Sequence, residues 1–276
     1  MMIMAKIINE KQDLTYLEWS LTRHSSGTAG TFLKAMSEIT GEKIYYKLSN
    51  YDPLYGVLGH ECINELIVDR LLNIIGIEHL HYDLIHADII VADKKLETYI
   101  CSSKDFKKDG EYKSALDVYY ELEKLEDESP LEFCLRLGFD KYVYEMFLVD
   151  YLILNRDRHG ANIEVLKDSK TKSIRLAPLF DHGLSLLAPY HTLKEIQKFN
   201  VMEDRKIQSY LGSSSANKNL QLIPKGKLSY LNKLKENDRD LLFEGLDDTI
   251  EKEFLDKIWD MIWERWCYYE SLCNKE

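Results

Sequence analysis

Two aspartates and an asparagine near the middle of the chain have the types and spacing that phosphoryl transfer requires. Asp157 and Asn162 lie five positions apart, and Asp181 follows a short apolar run. An aspartate can orient or deprotonate an attacking hydroxyl group, while an asparagine and a second aspartate hold Mg²⁺ on the phosphates of ATP. The spacing therefore predicts a site at which a phosphoryl group is transferred from a nucleotide to a hydroxyl group.

The same offset occurs in the catalytic loop of protein kinases, H-R-D-x-x-x-x-N. This chain has N-R-D at residues 155–157, and Asp181 lies in F-D-H-G rather than in D-F-G. The chemical groups match the protein-kinase pattern, whereas the residues around them differ. We therefore expect a divergent kinase.

Such a kinase also needs a lysine on a strand and a carboxylate that pairs with it. Two strands are predicted at 31–36 and 43–48, and Lys47 lies in the second of them. Residues 57–76 have apolar side chains at helical spacing and end in a glycine, which is typical of a helix terminus. Glu61 and Glu65 lie one turn apart on this helix, and spacing alone leaves either as the partner of Lys47.

A small glycine-containing stretch precedes these strands. Its residues Ser25, Ser26 and Gly27 could let backbone N–H groups approach phosphate oxygens. Taken alone, the signal is weak, because such a stretch is usually a turn.

A hairpin is predicted over 86–101, with its turn at 93–95, and acidic helical sequence follows it. We place a lobe boundary near residue 102. Cys101 then lies at the hinge, where backbone groups would meet the adenine ring.

The helix predicted over 141–154 is apolar almost all round, which indicates burial. Asp150 interrupts it, and we expect this carboxylate to brace the loop that follows, because a buried carboxylate needs donors. His159 in that loop could contact phosphate or make a structural hydrogen bond. The run 173–180 predicts a strand that would hold Asp181 rigidly.

The composition limits the function classes. The chain has 276 residues and a net charge of −11, which argues against direct nucleic-acid binding and against docking on an anionic membrane, since both usually depend on a basic surface. Its five cysteines are scattered and form no CxxC pair, as is typical of a reduced cytoplasmic protein. No apolar run indicates a signal peptide or a membrane span.

Three histidines, His79, His81 and His86, cluster with Asp83 and Asp88. Imidazoles and carboxylates are zinc ligands, but this spacing fits no compact zinc motif. The sequence favours a polar strand edge here.

Several of these motifs together resemble the HipA-like serine/threonine kinases, a family that includes HipA toxins, HipT-type toxins and CtkA-like kinases. The resemblance rests on N-R-D-R-H-G-A-N at 155–162 and L-A-P-L-F-D-H-G-L-S at 176–185. Asn64-Glu65 and the helix after them are similar to the family's N-E helix, and Ser26-Gly27 to the S-G of its phosphate loop. The similarity covers about residues 20–240 and is strongest at 142–187. The phosphate loop departs from the family pattern after Gly30.

The resemblance implies a role for each matched residue. It implies Asp157 as the catalytic base, Asn162 and Asp181 as Mg²⁺ ligands, and Lys47 on the ATP phosphates. By the family's register Glu65, rather than Glu61, is the partner of Lys47. It also implies autophosphorylation of the phosphate loop at Ser26 or its neighbour Ser25. Apart from the resemblance, we assign His159 and Cys101 to the nucleotide-binding region, because His159 lies in the loop after the helix and Cys101 lies at the predicted hinge.

The partners that the resemblance implies are a protein substrate, such as an aminoacyl-tRNA synthetase, and a HipB-like helix-turn-helix antitoxin that carries the DNA binding. The chain would then be a toxin that blocks translation.

The fold class that we predict is α+β, a bilobal protein-kinase-like fold. A small β-rich lobe spans 1–102 and a larger, mainly α-helical lobe spans 103–276, with ATP and Mg²⁺ between them. Two alternatives stay open at this point. One is a kinase that acts on a lipid or a small molecule, and the other is a pseudokinase that serves as a binding module.

Overall fold

The computed structural model describes residues 5–20, 32–39 and 41–274. Its N-terminal part is rich in strands and contains one long helix. In chain order the elements are β1 (Ile7–Asp13), β2 (Lys34–Ile39), β3 (Glu42–Leu48), the short strands β4 (Tyr51–Asp52) and β5 (Gly56–Val57), α1 (Glu61–Ile75), β6 (Asp83–Val91) and β7 (Lys94–Lys104).

Five of these strands form one twisted sheet in the order β1-β6-β7-β3-β2. Strand β1 runs parallel to β6, and the other neighbours are antiparallel. Lys47 on β3 is opposite Cys101 on β7, so the two side chains lie on the same face of the sheet. That face packs on α1.

The rest of the chain is largely helical. Its elements are β8 (Glu111–Ala115), α2 (Leu116–Glu123), α3 (Pro130–Arg136), α4 (Asp140–Leu152), β9 (Asp157–Arg158), a 3₁₀ turn (Gly160–Asn162), β10 (Glu164–Asp168), β11 (Ile174–Leu176), α5 (Leu193–Lys198), β12 (Gln208–Ser209), α6 (Ala216–Leu220), α7 (Asp238–Phe243) and α8 (Lys252–Asn274). Strands β8, β10 and β11 form a small antiparallel sheet, and β9 pairs with β12.

Helix α4 is buried almost all round and lies between α3, α6 and α8. Its interior position agrees with its uniformly apolar sequence, which no amphipathic surface helix would have. One continuous core joins α4 to α1 and α8. The loop that begins at Asn155 therefore starts from the most buried helix of this part.

Helix α1 ends where the sequence predicts. Gly76 follows its last turn with a φ of +82°, and its N–H donates to the carbonyl of Leu72. Glycine adopts this left-handed conformation without the steric cost that a Cβ atom brings.

Some predicted bounds are shifted. The hairpin turn lies at Ala92-Asp93, one residue before its predicted start, because both residues have positive φ values, as a two-residue hairpin loop requires. The strand before Asp181 is short, Ile174–Leu176, and an extended segment follows it. Strand β7 continues to Lys104, past the lobe boundary near 102, which stays a prediction.

Among the described residues, no helix is both long and apolar enough to cross a bilayer.

Candidate active site

A lysine between two carboxylates is the centre of the candidate site. Lys47 Nζ lies 3.0 Å from Glu65 Oε1 and 2.8 Å from Asp181 Oδ1. Strand β3 supplies the lysine, helix α1 supplies the glutamate, and the segment after β11 supplies the aspartate. Three distant parts of the chain thus converge on one ammonium group.

The two glutamates that the spacing left open have different partners. Glu65 pairs with Lys47, and its second oxygen accepts a hydrogen bond from the backbone N–H of His182 at 2.9 Å. Glu61 Oε2 instead accepts from the N–H of Asn50 at 3.0 Å. The register taken from the resemblance agrees with this geometry.

Helix α1 also fixes the segment that carries Asp181. Asn64 is fully buried, and its amide donates to the carbonyl oxygens of Gly183 and Ser185 at 2.9 and 3.1 Å. Asp181 has a φ of +59°, a conformation that costs a non-glycine residue about 1 kcal/mol or more. These hydrogen bonds hold the aspartate there.

Burial and pairing set the charges of this cluster. Burial disfavours the charged form of Lys47, but the carboxylates of Asp181 and Glu65 outweigh it and hold the pKa of the ammonium well above its usual range. Burial likewise opposes the ionisation of Asp181, yet the charge of Lys47 keeps the pKa of Asp181 below its usual range. For Glu65 burial prevails, and its pKa is raised. The lysine and the aspartate are therefore charged at neutral pH.

The loop after α4 is held by a buried ion pair. Arg158 has no exposed surface, and its guanidinium contacts Asp150 at 3.0 Å. The same carboxylate accepts from the side-chain amide of Asn155 at 2.9 Å. Asp150 thus braces the loop, as its position in an apolar helix predicts.

Arg158 connects this loop to the other half of the site. Its Nη1 donates to the carbonyl oxygens of Asn162 and Phe180, at 3.3 and 2.9 Å. Phe180 directly precedes Asp181. We did not assign a role to Arg158 from the sequence, although its place in N-R-D-R-H was a signal that could have found it.

Asp157 and Asn162 lie next to each other in this loop. Asn162 Nδ2 donates to the carbonyl of Asp157 at 2.7 Å, which leaves the amide oxygen of Asn162 as the atom able to bind a cation. The Asp157 carboxylate lies 3.7 Å from Nε2 of His159. Burial raises the pKa of Asp157, and the neighbouring His159 opposes that shift. A raised carboxyl pKa is what a general base needs to accept a proton near neutral pH.

A cleft of about 260 Å³ opens beside Lys47 and Asp181. The end of β7 and the two residues after it, residues 103–106, form one wall of it. The other lining residues are two lysines, one glutamate, and aromatic or apolar side chains: Lys34, Tyr45, Tyr46, Leu80, Tyr82, Lys113, Glu164 and Phe180. A groove of about 580 Å³ near the end of α8 contains none of the predicted site residues.

Several predicted residues that the structure describes do not line this cleft, and Asp157 and Asn162 are among them. Cys101 is buried behind it, where its thiol lies against Cys62, because the hinge-like segment begins two residues later. His159 contacts Asp157 but does not line the cleft. The phosphate-loop residues Ser25, Ser26 and Gly27 lie outside the described residues.

Tyr82 is a cleft residue that sequence reasoning missed. Lys47 Nζ lies 5.3 Å from the centre of its ring, and the N–H of Asp181 donates to its hydroxyl at 3.4 Å. Nothing in the spacing around Tyr82 distinguishes it from an ordinary core tyrosine, so only the tertiary structure reveals it.

The donor set fits a magnesium nucleotide. Asn162 and Asp181 offer oxygen atoms, which are the ligands that Mg²⁺ prefers, and Mg²⁺ usually takes one or two carboxylates together with substrate phosphates. Lys47 offers a fixed positive charge next to them.

Comparison with solved structures concerns the fold of the whole chain. The structure matches the Helicobacter pylori proinflammatory kinase CtkA with a TM-score of 0.63 and 17% sequence identity, over 95% of this chain and 97% of that one. The chain has the fold of CtkA. The predicted bilobal, kinase-like α+β fold is thereby confirmed.

A second match is the HipA toxin of Shewanella oneidensis MR-1, in a structure with HipB and operator DNA. Its TM-score is 0.44 and its identity 13%, over 92% of this chain and 68% of that one. No protein-family model and no curated protein sequence matches the chain.

Proposed function

We propose that the chain is an ATP- and Mg²⁺-dependent kinase that phosphorylates serine or threonine hydroxyl groups of a protein. The observation that carries the proposal is the position of Lys47, within 3.0 Å of both Glu65 and Asp181 and beside the cleft. The fold of a known kinase supports it, and so does the loop that carries Asp157 and Asn162.

In this proposal each residue has one task. When bound, ATP supplies the phosphoryl group and Mg²⁺ neutralises part of its charge. Lys47 holds phosphate oxygens, and Glu65 keeps the lysine in place. Asn162 and Asp181 hold the metal. Asp157 takes the proton of the acceptor hydroxyl. The hydroxyl oxygen then forms the new bond to the γ-phosphorus, and the bond from that phosphorus to the oxygen that leaves with ADP breaks.

The protein acceptor, the autophosphorylated serine and the antitoxin partner rest on the sequence resemblance. We propose Ser26, or Ser25 beside it, as the site of self-modification, because a phosphate there would compete electrostatically with ATP. We also propose a cytoplasmic chain whose target is a component of translation and whose partner is a HipB-like antitoxin.

Labelled ATP and a panel of acceptors test the reaction class. The panel contains serine- and threonine-rich polypeptides, small alcohols and aminoglycosides, and phosphoinositide vesicles. We expect label in the polypeptides with the wild type and with the surface control Asp109→Asn, and none with Asp157→Asn. Label in the small molecules or the vesicles alone would replace the protein-kinase assignment, and ATP binding without transfer to any acceptor would indicate a pseudokinase.

Phosphopeptide mapping after incubation with Mg-ATP tests the self-modification. We expect phosphate on Ser26 or Ser25, lost in the Ser25→Ala/Ser26→Ala variant and retained in the surface control Ser229→Ala. Phosphate confined to other residues would contradict this assignment and leave the kinase proposal standing.

A further inference from the structure

Three potential metal ligands meet beside α1, and none of them lines the cleft. Asp69 lies on α1, one turn after Glu65, and His79 and His81 lie on the segment between α1 and β6. Asp69 Oδ2 is 3.4 Å from His79 Nε2 and 3.1 Å from His81 Nδ1. All three ligand atoms lie within 4.8 Å of one another.

The hydrogen bonding of His79 fixes which of its ring nitrogens carries a proton. Nδ1 lies 2.8 Å from the carbonyl oxygen of Ile77, and because a carbonyl only accepts, Nδ1 must be the donor. The neutral ring then presents a lone pair on Nε2. A hydrogen bond from the far nitrogen to a backbone carbonyl is also how metal-binding histidines are oriented.

That lone pair points at another acceptor. His79 is only 6% exposed, and Nε2 has no hydrogen-bond partner among the described residues. Its nearest charged atom is Asp69 Oδ2, and two acceptor atoms do not attract each other. A buried lone pair beside a carboxylate oxygen therefore needs a positive species between them.

The distances fit a metal ion in that place. Zinc lies about 2.0–2.2 Å from histidine nitrogen and carboxylate oxygen, so neighbouring ligand atoms of a tetrahedral site are roughly 3.3 Å apart. The two measured separations of 3.4 and 3.1 Å lie on either side of that value. The shorter contact, from His81 Nδ1 to Asp69 Oδ2, is also within hydrogen-bond distance, and a bound ion would replace that hydrogen bond.

We propose that Asp69, His79 and His81 bind a Zn²⁺ ion that is separate from the Mg²⁺ of the cleft. Two imidazoles and one carboxylate suit zinc rather than magnesium, which prefers oxygen ligands alone. The His81 side chain is 48% exposed, so the ion can enter from that side and keep a water molecule as its fourth ligand.

The position of the ion gives it a structural role in the proposed kinase. Leu80 and Tyr82, which alternate with the two histidines, line the cleft, and the N–H of Tyr82 donates to Asp69 Oδ2 at 2.9 Å. Glu65 lies one turn before Asp69 on the same helix. The ion would therefore connect the helix that positions Lys47 to the segment that forms the cleft wall.

Zinc binding without nucleotide tests the proposal and does not depend on kinase activity. The wild type, His81→Ala and the control His86→Ala are stripped with chelator, dialysed against Zn²⁺ and analysed for bound metal. His86 is a neighbouring histidine that pairs with Glu97, outside the cluster. We expect one Zn²⁺ per chain in the wild type and in His86→Ala, and an affinity at least about 10-fold lower in His81→Ala.

Two further measurements report on the ligands of the ion and on its effect on stability. Co²⁺ should give the visible spectrum of a tetrahedral N₂O₂ site in the wild type and in His86→Ala only, and Zn²⁺ should raise the melting temperature of these two proteins but not of His81→Ala. Circular dichroism checks that the His81→Ala variant is folded. Absence of stoichiometric Zn²⁺ in the wild type, or equal affinities in all three proteins, would overturn the proposal and leave a proton on His79 as the species between the two groups.

Discussion

At the scale of single residues, the candidate site is built around Lys47, whose ammonium group pairs with two carboxylates. Lys47 pairs with both Glu65 and Asp181, and neither carboxylate has a second lysine or arginine within salt-bridge distance among the described residues. The His182 ring lies 3.8 Å from Glu65, but burial holds the pKa of His182 well below its usual range, so this ring is neutral at pH 7. Removal of the lysine would leave two carboxylates without a positively charged partner in a place where water solvates them poorly.

We expect Lys47→Met to lower the free energy of unfolding at pH 7 by about 3 kcal/mol, because breaking a buried ion pair from one side typically costs that much. Urea unfolding measures it. The matched control is Lys43→Met, an exposed lysine on the same strand, which should change stability by less than about 0.5 kcal/mol. Adding Glu65→Gln to Lys47→Met should restore part of the lost stability. If the free-energy changes of the two single variants simply add in the double variant, the coupling between Lys47 and Glu65 is contradicted.

The ionised carboxylate of Asp157 should destabilise the folded state at neutral pH. Because burial raises its pKa in the folded state, the folded chain binds this proton more tightly than the unfolded chain, and ionisation above the folded pKa is destabilising. Asp157→Asn should therefore be more stable than the wild type at pH 7. The gain should shrink as the pH falls through the folded pKa and vanish below the unfolded value of about 3.9. Unfolding curves at a series of pH values measure it, and a gain that grows towards low pH would contradict this sign.

The sequence was sufficient to select Asp157, Asn162 and Asp181, because they lie within one short stretch at a known spacing, and their roles stay predictions. It could not decide between Glu61 and Glu65 by spacing, since both positions face the same side of α1. The choice depends on where the helix lies against β3 and on the N–H of Asn50, which no local pattern encodes.

At the scale of elements, Arg158 joins three parts of the site. It links α4 through Asp150, the loop of Asp157 through Asn162, and the segment of Asp181 through Phe180. A planar guanidinium can reach all three at once, whereas an ammonium group cannot.

We expect Arg158→Lys to lower both stability, by about 2–4 kcal/mol, and the rate of phosphoryl transfer, because the loop and Asp181 would lose their common anchor. Arg239→Lys is the matched control, since Arg239 pairs with Asp256 and both side chains are more than one-third exposed, and such pairs contribute about 1 kcal/mol or less. Denaturant unfolding and a transfer assay measure the two effects. Equal losses in both variants would show that Arg158 has no special linking role.

The end of α1 is a second element-scale test. An added Cβ at Gly76 would lie 3.2 Å from Nδ2 of Asn232, whereas one at Gly138 would meet nothing within 4 Å, and both glycines have positive φ. Gly138→Ala should cost about 1 kcal/mol. Gly76→Ala should cost more, because Asn232 must also move from its hydrogen bond to Ile74. Identical unfolding midpoints for the two variants would contradict this.

Helix positions were easier to predict than strand ends. The apolar period and Gly76 define α1, and the apolar run defines α4. The hairpin turn was misplaced because the sequence Ala-Asp-Lys-Lys contains no glycine or asparagine to mark the residues with positive φ.

At the scale of the whole molecule, the cleft lies where the sheet meets the helical part, so a bound nucleotide would contact both. The HipA-like resemblance found in the sequence led to the correct fold, although the overall identity to CtkA is only 17%. That fold is compatible with several acceptors, and the sequence has no comparable motif for the substrate.

The most direct test of the account is the intact mass of the purified chain before and after incubation with Mg-ATP and a serine-rich polypeptide acceptor. Wild type and Asp109→Asn should show a phosphoryl group on the chain or on the acceptor, and in Asp157→Asn the rate should fall by about 10²–10⁴-fold. Transfer at the wild-type rate by Asp157→Asn would contradict its role as the base. No transfer by the wild type, with nucleotide binding intact by calorimetry, would contradict the kinase assignment itself.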